Sequence, residues 1–106
     1  MNYKEAMTEF TFRASNELFT AIEKMKGRIF IYNKRWGERV VNSVTRKAVG
    51  GLTLTVEEII MKTRNETAIM SDEARESACA KALEDIKEIC DRSVEEYEVP
   101  AEEVLA

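Results

Sequence analysis

The chain has 106 residues, 16 Lys and Arg against 20 Asp and Glu, and no histidine, for a net charge of −4. That is room for one domain, and a composition 44% hydrophobic and 34% charged belongs to a folded chain rather than a disordered one. The missing histidine removes Ser-His-Asp, Cys-His and most zinc arrangements, two cysteines cannot build a disulfide scaffold, and no apolar run is long enough to span a bilayer.

From the N-terminus, residues 2–26 read as an amphipathic helix. Ala6, Met7, Phe10, Ala14, Leu18, Ala21, Ile22 and Met25 recur at three- and four-residue spacing, which lines them up on one stripe. Phe12 and Phe19 fall off the centre of that stripe and widen the apolar face, so this helix is expected to touch more than one neighbour. Gly27 suits a helix C-cap, and Lys24 and Lys26 place positive charge in the last turn.

The β-branched and aromatic run within 28–33, Arg28-Ile29-Phe30-Ile31-Tyr32, predicts a strand, with Leu52-Thr53-Leu54-Thr55-Val56 as the internal candidate to pair with it. Residues 37–49 fit a helical stripe through Val40, Val41, Val44, Ala48 and Val49, but the same valines also suit a strand. Gly50-Gly51 is a break under either reading. Thr55 and Glu58 form a capping-box pattern that predicts a short helix over 55–65.

The last long element is predicted over 71–98, with Ser71 as its N-cap and Asp72, Glu73 and Glu76 in its first turn. Cys79, Leu83, Ile86, Cys90, Ser93 and Tyr97 follow alternating four- and three-residue steps, a heptad-like seam flanked by Ala82, Ile89 and Val94. Pro100 predicts that the helix stops and that 100–106 is a terminal tail. The expected fold is therefore α+β and mainly α, a single domain over 1–106. Two long amphipathic helices at the chain ends would pack over a short central strand or helix segment.

Charge is divided along the chain. Residues 24–47 carry Lys24, Lys26, Arg28, Lys34, Arg35, Arg39, Arg46 and Lys47 against Glu38 alone, a net of +7, whereas residues 57–106 carry fifteen acidic against six basic residues, a net of −9. A basic stretch holding Phe30, Tyr32 and Trp36 is suited to phosphates and stacked bases. The plainer reading is neutralisation by the acidic C-terminal helix, of the same chain or of a second copy, and a pI near 5.0 leans that way.

No glycine loop cradles a phosphate, no calcium loop appears, and Cys79 and Cys90 stand eleven residues apart, unlike a zinc knuckle. On one helix they would lie roughly 16 Å apart, too far for a disulfide. Asn65-Glu66-Thr67 matches a glycosylation acceptor and is read as a chance match, because the N-terminus lacks the apolar core of a signal peptide.

These features lead to an expected non-enzymatic cytoplasmic protein without cofactor, metal, membrane span or small-molecule substrate. It is expected to associate through helices as a homo-oligomer, first of all a homodimer, or with a partner protein. Cys79, Leu83, Ile86, Cys90, Val94 and Tyr97 are the expected assembly seam. The alternatives are a nucleic-acid-binding regulator using Lys24, Lys26, Arg28, Lys34, Arg35, Trp36, Arg39, Arg46 and Lys47, and a small acidic protein inhibitor of the kind that mobile elements encode.

Overall fold

A computed structural model describes residues 1–26 and 38–105, with side chains for 1–25 and 46–97. Three helices make up the described chain: α1 over Tyr3–Lys26, α2 over Glu38–Thr67 and α3 over Asp72–Leu105.

The starts of α1 and α3 each have a local cause. The Asn2 side-chain oxygen accepts the Glu5 backbone N–H at 2.8 Å, and the Glu5 carboxylate accepts the Asn2 amide at 2.7 Å, so two groups satisfy each other at the head of α1. Ser71 caps α3 as its sequence position predicts, its hydroxyl accepting the Ala74 N–H at 3.2 Å.

Tertiary contacts fix the topology. The Tyr3 hydroxyl donates to the Arg64 carbonyl at 2.9 Å, and the Arg75 guanidinium lies 5.4 Å from the centre of the Tyr3 ring. The start of α1, the end of α2 and the start of α3 therefore share one end of the molecule. Helices α1 and α3 run parallel and α2 runs antiparallel to both, an up-down-up three-helix bundle in which every helix packs on the other two. Its long dimension of 53 Å matches the roughly 51 Å expected of a helix as long as α3.

One core runs along the axis. Phe10, Ala14, Ala21 and Met25 of α1 meet Leu52 and Val56 of α2 and Ala82, Ile86, Cys90, Val94 and Tyr97 of α3. Ala14, Ala21 and Ala82 keep the contacts short, and Phe10, Met25 and Ile86 fill the space between them.

The α+β expectation is corrected: the described residues contain helices and no strand. The expected strand at 28–33 and the Gly27 cap lie outside the described residues. The expected partner of that strand, 52–56, lies inside α2, and Leu54 shows why. A strand would put Leu52, Leu54 and Val56 on one face, but Leu52 and Val56 are buried four residues apart while Leu54 is 61% exposed.

From Glu38 on, the separate 37–49 and 55–65 elements are likewise one helix. Its Thr55 is not an N-cap: its hydroxyl bonds back to the Gly51 carbonyl at 3.0 Å, as Thr53 does to Val49 at 2.8 Å. Gly50-Gly51 does not break the chain either. Neither glycine has a positive φ, and neither lies close to a neighbouring element, so both are ordinary helical positions that lack a side chain. The tail expected at 100–106 is corrected as well, because α3 continues to Leu105. A proline within a helix removes one backbone donor and crowds the carbonyl one turn earlier, yet α3 runs through Pro100, and the Ala, Glu and Leu after it favour helix.

Candidate interaction surfaces

Four of the six residues of the expected assembly seam are spent inside the single chain. Ile86, Cys90, Val94 and Tyr97 are buried in the core. Packing within one chain thus accounts for the heptad-like spacing, which is what a three-helix bundle requires of its third helix.

Cys79 and Leu83 are half-buried and sit at the rim. With Ala6 and Phe10 of α1 and Ala80 of α3 they floor a groove of about 480 Å³ between the first halves of α1 and α3, bordered by Glu9, Arg13, Asp72 and Glu76. Arg13 is paired with Glu9 at 2.6 Å.

Both thiols are held toward the protonated form. Burial pushes the Cys79 thiol above its ordinary pKa, and the nearby Arg75 only partly opposes this. Burial pushes the Cys90 thiol up to about 11, with Glu17 and Asp91 adding to the shift. Among the described residues no group of three or more Cys, Asp or Glu side chains is placed to hold a metal ion.

Sequence reasoning misread the surface of α1. Phe12 and Phe19 do not widen the core stripe. They are 66% and 63% exposed. At about 100° per residue both fall nearly opposite Phe10, Ala14 and Ala21, and their seven-residue separation stacks them on one line of the helix. Leu54 and Met61 repeat the arrangement on α2, also exposed and also seven apart. The signal was present in the angular positions of these residues, but without a defined core direction an apolar residue off the stripe cannot be told from one at its edge.

Of the basic candidates, Lys24, Arg46 and Lys47 are exposed. Lys26 and Arg39 lie within α1 and α2, and Arg28, Lys34, Arg35 and Trp36 lie outside the described residues. The topology brings the end of α1 and the start of α2 to the same end of the bundle as the last turns of α3, where Glu95 and Glu96 are exposed. Further down, α3 turns Glu84, Glu88, Asp91 and Glu95 outward, interrupted by Lys87 and Arg92. Arg92 is held by Glu88 at 2.9 Å.

Among the described residues no helix is long and apolar enough to cross a membrane. The features together define a three-helix bundle with outward apolar pairs on two helices and an acidic third helix. Comparison with protein-family models, with curated proteins and with solved structures gave no match to this chain.

Proposed function

We propose that this chain is a non-enzymatic, helix-mediated interaction protein acting in the cytoplasm, whose first partner is a second copy of itself. The observation that carries the reading is the exposed Phe12–Phe19 pair. Large aromatic side chains contribute strongly when buried at interfaces, and two of them aligned on one outward line of a helix form a continuous seam rather than scattered exposure. The seam expected on α3 gives way to α1, because α3 uses its own apolar line to hold the bundle together.

Nucleic-acid binding is the weaker reading. Lys24, Arg46 and Lys47 are open to an anionic partner, but the chain places its own acidic α3 terminus at the same end, which supports partial neutralisation within the molecule. Light scattering at low and high salt, with and without mixed DNA and RNA, separates the two. Self-association predicts a mass that rises with protein concentration, irrespective of nucleic acid. A monomer at every concentration that gains mass only with nucleic acid at low salt would reverse the order.

A further inference from the structure

We draw no further inference here: the strongest candidate, the apolar groove between the first halves of α1 and α3 floored by Phe10, Cys79 and Leu83, carries nothing, because Glu9 and Asp72 on its rim are already paired with Arg13 and Arg75 and nothing in the structure shows what covers it.

Discussion

Arg75 closes the turn between α2 and α3 by donating its Nε–H to the carbonyl oxygen of Thr67, eight residues earlier, at 3.1 Å. The same guanidinium donates to the Met70 carbonyl at 2.9 Å and to the Asp72 carboxylate at 2.8 Å, and it is 7% exposed. Thr67 is fully buried, its hydroxyl bonded to the Thr63 carbonyl at 2.7 Å. One cation therefore caps the end of α2, pairs with the first turn of α3 and covers the Tyr3 ring of α1.

Arg75→Ala removes the side-chain donor to the Met70 carbonyl, leaves the Thr67 carbonyl with the Met70 N–H alone, and should cost about 2–4 kcal/mol, read as a drop in the urea midpoint at constant slope. Arg75→Lys keeps the charge but not the planar fork, and it should recover less than half of the loss. A loss below about 0.5 kcal/mol for the alanine variant would contradict a buried clamp and would be typical of an exposed ion pair.

Gly50→Ala and Gly51→Ala should each stabilise the protein, by about 0.5–1 kcal/mol. Both glycines sit inside α2 with open space where a Cβ would go. Thermal unfolding reads the effect. A lower midpoint would mean that the pair forms the break that a glycine doublet ordinarily signals.

That doublet shows where sequence and fold part company. Amphipathic spacing carried α1 and α3 because their core residues recur on one stripe and their caps, Asn2 and Ser71, are short polar side chains. It failed in α2, whose glycines, threonines and valines favour turns and strands on local grounds. Packing overrides those preferences: Leu52, Val56 and the half-buried Ile59 and Ile60 have α1 and α3 to bury against. The residues of the α3 seam were legible, but their target was not, because a heptad line reads the same whether it meets a neighbour in its own chain or one in another. The outward phenylalanines became meaningful only once the core direction was known.

Ile86→Ala, which opens a cavity in the fully buried centre of the bundle, should cost about 2–5 kcal/mol. Phe12→Ser should leave the unfolding free energy of the monomer within about 0.5 kcal/mol, since the ring is exposed. Equal losses at the two positions, measured by chemical denaturation at low protein concentration, would mean that Phe12 belongs to the core.

Cys90 should be the slower of the two thiols to alkylate in the native state, being the more deeply buried. Its folded pKa lies at about 11, above the ordinary 9.0. The neutral thiol's contribution to stability is complete below pH 9. It falls as pH rises toward 11, because the unfolded chain releases its proton first. The stability lost in Cys90→Ala should therefore shrink between pH 9 and 11. A penalty that stays constant across that window would show that Cys90 ionises alike in both states.

The most direct measurement of where this protein makes contact is a concentration series of amide chemical shifts in the uniformly labelled chain. Dimerisation through α1 predicts changes centred on residues 8–23 and strongest beside Phe12 and Phe19, with the amides of Ile86, Cys90 and Val94 still. Shifts that cluster on α3 or on the outward face of α2, or a spectrum that does not change with concentration, would contradict it.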